Sequence, residues 1–248
     1  MNNDVLVTTS WDDGHELDIK LINMLDLYGI KGTFYLSKST NQLNVKEIKE
    51  ISARHEVGAH SIGHKRLTEL KHADLVYEIE ESKKWLEDII GKKVGMFCYP
   101  YGDYNKDVLE IVKQCGFTGA RTTQSFVVDK IIEKYLMPVT IQVYPFPVKN
   151  IFKSKLNFIF YRNYGYYKNI KEINLPLSSY FSWVNLANNL FEYSKKLQGC
   201  FHVWGHSWEI DKCSMWSNLE KLFMHIKQSH DIRFMSNSEL LEEISNKY

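Results

Sequence analysis

The 248-residue chain lacks net charge: 31 Lys and Arg stand against 30 Asp and Glu, a formal balance of +1. No strong field therefore draws it to a polyanion, and a nucleic-acid partner gets no support. It also lacks any run of about 18 apolar residues, so no transmembrane helix is predicted. The opening stretch MNNDVLVTTSWDDG has no basic segment followed by an apolar one, so no export signal is expected. Cys98, Cys115, Cys200 and Cys213 are scattered and form no CxxC pair. Without an export signal they read as reduced, mostly core-packed thiols, and the expected compartment is the cytoplasm. Internal repeats and low-complexity tracts are missing too. What remains is ordinary for a soluble globular protein, with 44% hydrophobic and 25% charged residues. The length suits one α/β barrel domain with a substantial core.

Short apolar runs alternate with segments of helical period. Strands are predicted at Val5–Val7, Thr33–Leu36, Glu56–Ala59, Val94–Cys98, Phe117–Ala120, Met137–Val143, Cys200–Trp204 and Ile232–Met235. Between them, Leu17, Leu21, Met24 and Tyr28 recur at helical spacing, as do Val45, Ile48 and Ile51. A long amphipathic helix spans Ala73 to Ile90 with Gly91 as its stop. Asn105 is expected to cap a helix bearing Val108, Leu109 and Val112; Leu219, Leu222, Phe223 and Ile226 mark another; Ser236 caps a terminal one. Repeated βα units imply a mostly parallel sheet, open or closed into a barrel. Residues 148–185 break the rhythm with a dense mixture of aromatic and basic residues. They read as an insertion packed on the scaffold, or as a loop that lines a substrate groove or touches a membrane surface.

An α/β fold gathers its active site at the C-terminal ends of its strands. The first strand leads into Asp12, Asp13 and Gly14, where the glycine predicts a sharp turn that exposes both acids. The bland alternative is a helix N-terminus decorated with carboxylates. The third strand ends in AHSIGH. His60 and His64, four apart, suit one face of a helical turn and a shared metal, or else simple packing. After the fourth strand, Pro100 and Gly102 define a tight turn around Tyr101. Arg121, after the fifth, supplies either a cation beside the carboxylates or a structural ion pair. The late stretch FHVWGHSWEID carries His202, which alternates with Trp204 along a strand, and His206 in the following loop.

The ordered set SWDDG, HSIGH, YPYG and WGHSWE, spread over most of the chain, resembles the polysaccharide deacetylases, also called the NodB-homology or carbohydrate esterase family 4 group. That resemblance implies a distorted (β/α) barrel of about seven parallel strands, filling residues 1–248 as one domain with the aromatic-rich insertion at about 148–185. It implies a divalent metal, zinc or else cobalt or another ion, on Asp13, His60 and His64. Asp12 matches the base, the Tyr101 N–H matches an oxyanion donor, and His206 matches the acid, with His202 as the alternative. Two positions depart from the pattern. Cys98 stands where the family carries an arginine paired with the base, a role that Arg121 is expected to assume from the next strand end. The family's fourth motif has only Trp183 as a candidate. The activity implied is hydrolysis of an N-acyl amide, N-acetyl above all, on an amino sugar or glycan precursor; the expected lack of an export signal points to a nucleotide- or lipid-linked one. The alternatives are a deformylase or cyclic-amide hydrolase with the same site, or a catalytically silent carbohydrate-binding protein.

Overall fold

A computed structural model describes residues 4–128, 133–145, 173 and 175–245. In chain order its main elements are β1 (Val5–Asp12), α1 (Asp18–Tyr28), β2 (Gly32–Leu36), α2 (Val45–Arg54), β3 (Glu56–Ala59), α3 (His72–Ile90), β4 (Met96–Cys98) and α4 (Lys106–Gln114). They continue with β5 (Gly119–Arg121), β6 (Ile141–Gln142), α5 (Trp183–Lys196), β7 (Cys200–Gly205), α6 (Ser207–Lys212), α7 (Trp216–Lys227), β8 (Ile232–Met235) and α8 (Asn237–Ser245). All eight predicted strands are present. Helix caps follow the sequence signals: the Asn105 side chain accepts from the Val108 N–H, and α3 ends at left-handed Gly91. Ser236 and Glu239 exchange side-chain-to-backbone hydrogen bonds at the start of α8. Val45, expected on the buried face of α2, is 53% exposed instead, because it is the first helical residue and lies beyond the contact with the sheet.

The strands are parallel, in the order β5-β4-β3-β2-β1-β7-β6, with β8 also on β1. β8 pairs with Val5–Thr8 and β2 with Thr9–Asp12, so two strands share one edge of β1 end to end. The remaining gap is crossed by residues 137–143. Met137 bonds to Ala120 and Thr122 on one side, and Thr140 and Val143 bond to His202 and Trp204 on the other. The alternation predicts a mostly parallel sheet, and the resemblance implies a distorted (β/α) barrel; the structure has that form, a seven-strand path with an eighth short strand off it on β1. The insertion expected at 148–185 lies largely outside the described residues. Its described end includes Trp183, which is buried and opens α5, a helix the sequence reading did not foresee.

Strand periodicity places the site. β1 is buried along its whole length, and successive side chains alternate between the faces. Val5, Val7 and Trp11 join the main core, while Leu6 joins a second cluster with Met96, Cys98, Met137 and residues of α8. On the Leu6 face, Thr8 donates to Asn237 Oδ1 (2.8 Å) and Ser10 meets His202 Nε2 (2.8 Å). Asp12 pairs with Arg121. This row grows more polar toward the C-terminal mouth, and Asp12 is its last member.

Candidate active site

The two aspartates part at the end of β1. Asp12 is 3% exposed, so the turn does not expose both acids as expected: Asp12 completes the strand and keeps its inward place. Asp13 takes φ of 83° and Gly14 of 76°, and the left-handed pair swings the second carboxylate out to the rim. Asp13 adopts this costly region with its N–H bonded to the Tyr35 carbonyl (3.0 Å).

Arg121 reaches Asp12 from the end of β5, and both side chains are buried. The guanidinium also stacks over Tyr35 and Trp204, 5.3 and 4.8 Å from their ring centroids. Cys98 Sγ lies 3.8 Å from Asp12 Oδ2, so the thiol touches the site. Burial alone would raise the Asp12 carboxyl. The positive charge of Arg121, with His60 and His206, outweighs it and holds Asp12 below the usual range. Burial pushes the Cys98 thiol well up and keeps it neutral.

His60 and His64 are brought together, but not on a helix. Their stretch is a loop in which Ser61 and His64 have φ of 61° and 49°. The buried carboxylate of Glu78 in α3 receives the Gly63 N–H (2.5 Å), and a Cβ at Gly63 would meet that carboxylate at 2.6 Å. Glycine thus lets the loop fold onto α3. The two Nε2 atoms lie 3.2 Å apart. His60 Nδ1 faces the Cys98 carbonyl oxygen at 2.8 Å; a carbonyl only accepts, so Nδ1 holds the hydrogen and Nε2 presents its lone pair. Burial, then the nearby His64, lowers the His60 pKa to about 4 against the pull of Asp12, which favours the neutral, ligating form. Asp13 Oδ1 is buried without a hydrogen-bond partner among the described residues. It lies 3.4 Å from His64 Nε2 and 3.9 Å from His60 Nε2. One carboxylate oxygen and two imidazole nitrogens within 4.8 Å of one another fit a divalent ion such as zinc with positions left open.

The two late histidines differ sharply. His202 is enclosed between Ser10 and the Pro138 carbonyl (3.1 Å), and burial, with Arg121, drives its pKa to about 3. It is a packed neutral ring. His206 stands at the mouth with Nε2 3.8 Å from Asp13 Oδ2 and Nδ1 2.6 Å from Glu209 Oε2. Burial opposes its charge, but the Glu209 hydrogen bond and the nearby Asp12 and Asp13 raise its pKa above the ordinary value. Tyr101 takes φ of 60° in the Pro100–Gly102 turn and sets its ring 4.7 Å from that of His64.

Three contributors were not foreseen. Glu209 holds His206 and is held in turn by Gln142 Nε2 (3.0 Å); the Gln142 backbone carbonyl accepts from Trp183 Nε1 (2.7 Å). Trp208 donates to Asp13 Oδ2, and Ser207 donates to the buried Asp18 (2.6 Å). The available signal was the unbroken HSWE at a strand-to-helix junction, where His206 and Trp208 face Asp13, Ser207 bonds to Asp18 and Glu209 bonds back to His206.

A carboxylate–imidazole cluster at the C-terminal mouth of a (β/α) barrel marks the class of fold whose strand-end loops carry chemistry. Residues 2–120, just under half of the chain, match the family model described as polysaccharide deacetylase; SWDDG, HSIGH and YPYG lie inside that stretch and WGHSWE beyond it. Among curated relatives, an uncharacterized Bacillus subtilis protein, YlxY, is 30% identical over 45% of this chain and 35% of its own length. Chitin deacetylase 1 of Cryptococcus neoformans is 31% identical over 44% of this chain and 24% of its own. These matches thus span about a third or less of the relatives' lengths. A Mycobacterium smegmatis structure assigned to the polysaccharide deacetylases shares the fold, with a TM-score of 0.71 at 13% identity, covering 99% of this chain and 92% of that one. A mutant of BA3943, described as a CE4 family pseudoenzyme with restored enzymatic activity, superposes with a TM-score of 0.60 at 18% identity, over 98% of this chain and 70% of that one.

Proposed function

We propose that the protein hydrolyses the N-acetyl amide of an amino sugar, with a divalent metal, zinc first, held by Asp13, His60 and His64. Such an ion supplies Lewis acidity toward the acyl oxygen and toward water. The chain's own groups supply the rest. Asp12, ionised and next to the ligand set, removes a proton from the attacking water. Arg121 keeps that carboxylate charged and fixes its orientation. The Tyr101 N–H donates to the developing oxyanion, a contribution of about 3–4 kcal/mol for a well-placed donor. His206, protonated at Nε2 and steadied at Nδ1 by Glu209, gives its proton to the departing amine.

The observation that carries this reading is the division of labour between the adjacent aspartates. Asp12 is buried against Arg121, while Asp13 is turned by its positive φ toward two imidazoles. Cys98, standing where the resemblance implies an arginine, favours a silent carbohydrate-binding role. Arg121, beside Cys98 on the adjacent strand β5, reaches Asp12 and supports turnover instead. The test is acetate release from N-acetylglucosamine oligomers by zinc- or cobalt-loaded protein, beside Asp12→Asn and His60→Ala. Asp12→Asn should keep its metal and lose turnover; His60→Ala should lose both. Full activity in Asp12→Asn would remove the base from the scheme, and formate but no acetate from N-formyl and N-acetyl substrates would favour the deformylase.

A further inference from the structure

The two oxygens of Asp13 meet different surroundings. Oδ1 is buried without a hydrogen-bond partner among the described residues and faces the Nε2 atoms of His64 and His60. Oδ2 accepts the indole N–H of Trp208 at 3.1 Å and lies 3.8 Å from His206 Nε2. Trp208 arrives in the first turn of α6, and its ring stands 5.3 Å from that of His206, centroid to centroid. An indole nitrogen can only donate. It therefore occupies one carboxylate oxygen and leaves the other as the free donor.

We propose that Trp208 is a positioning residue that makes Asp13 a one-oxygen metal ligand, holding Oδ2 back so that Oδ1 is directed at the two imidazoles. The inference rests on the metal-site reading above. The same carboxylate sits beside His206, the residue that caps α6, so one short segment both carries the acid and sets the ligand. Without the N–H, the Asp13 carboxylate is free to rotate or to offer both oxygens, and the donor set loses its fixed aim. Outer-sphere partners of this kind typically change metal affinity about 10–100-fold.

The test is cobalt titration of the metal-stripped 248-residue chain, with a competing chelator for the dissociation constant and visible absorption for the coordination state. Trp208→Phe keeps most of the ring and loses the donor. Trp208→Gln loses the ring but carries an amide N–H the same number of bonds from Cα. Trp208→Phe is expected to bind cobalt about 10–100-fold more weakly, with weaker visible bands as a second carboxylate oxygen raises the coordination number. Trp208→Gln is expected to bind more tightly than Trp208→Phe and to restore the band intensity. A packing role would give the reverse order, and that order overturns the proposal. So does a Trp208→Phe protein with wild-type affinity and spectrum, which leaves the metal site itself intact. Wild-type protein that binds no cobalt overturns both readings. If Trp208→Phe does not fold, Trp208→Leu, close to glutamine in size and without a donor, replaces it in the same comparison.

Discussion

Asp18 offers a direct check on the electrostatics beneath the site. Its carboxyl is fully buried in the first turn of α1; Oδ1 accepts from Ser207, and Oδ2 has no partner among the described residues. Burial raises its pKa to about 8, helped by the negative charge of Asp13 and Asp12 and opposed by the Ser207 hydrogen bond. The folded value thus lies above the unfolded one, near 3.8. Its favourable contribution is then complete below that pH and is lost as pH rises toward the folded value. Each unit is worth about 1.4 kcal/mol, so from pH 4.5 to 7.5 the ionisable carboxyl withdraws about 4 kcal/mol of stability. Asp18→Asn keeps an oxygen for Ser207 and cannot ionise. Any cost of its buried amide is the same at both pH values and cancels. Urea unfolding of metal-stripped protein, followed by circular dichroism at pH 4.5 and 7.5, should show the variant gaining about 4 kcal/mol on wild type across that interval. Parallel pH dependence in the two proteins, within about 1 kcal/mol, would refute the reasoning, because Asp18 would then titrate alike folded and unfolded.

Arg121→Met strands the Asp12 carboxylate in the interior, so stability should fall by about 3–5 kcal/mol in urea unfolding. The acid limb of the pH–rate profile should move to higher pH as Asp12 loses its charge partner. An Arg121→Ala protein with unchanged activity would show that the ion pair has no catalytic part. Glu209→Gln removes the carboxylate that raises His206, so the alkaline limb of kcat should shift to lower pH with the acid limb unmoved. His206→Ala should cost about 10²–10⁴ in kcat, the usual worth of a positioned acid. His202→Asn should instead lower stability by about 1–3 kcal/mol and leave kcat within a few-fold; the opposite pattern would exchange the two roles.

The eight strands, most of the helices and the placement of Asp12, Asp13, His60, His64, Tyr101 and His206 at strand ends were legible in the chain. Alternation along β1 and the 3.6-residue period of α3 are local properties, and caps such as Asn105 act within one turn. Local spacing also misled. His60 and His64 looked like neighbours on a helix, but the loop between β3 and α3 brings them together through left-handed residues pinned by Glu78. Ser207, Trp208 and Glu209 were in plain view, yet nothing nearby in the chain says what each one holds.

The sequence by itself determined which residue types stand at the mouth of the barrel, because strand and helix periods follow from short-range sterics and side-chain burial. Tertiary structure alone decided their partners. Asp12 meets Arg121 across 109 positions, Asp13 meets Trp208 across 195, and Glu209 meets Gln142 across 67. Those contacts depend on how far the sheet curls and where residues 137–143 close it. They are set by packing summed over the whole core, which no short stretch of sequence encodes.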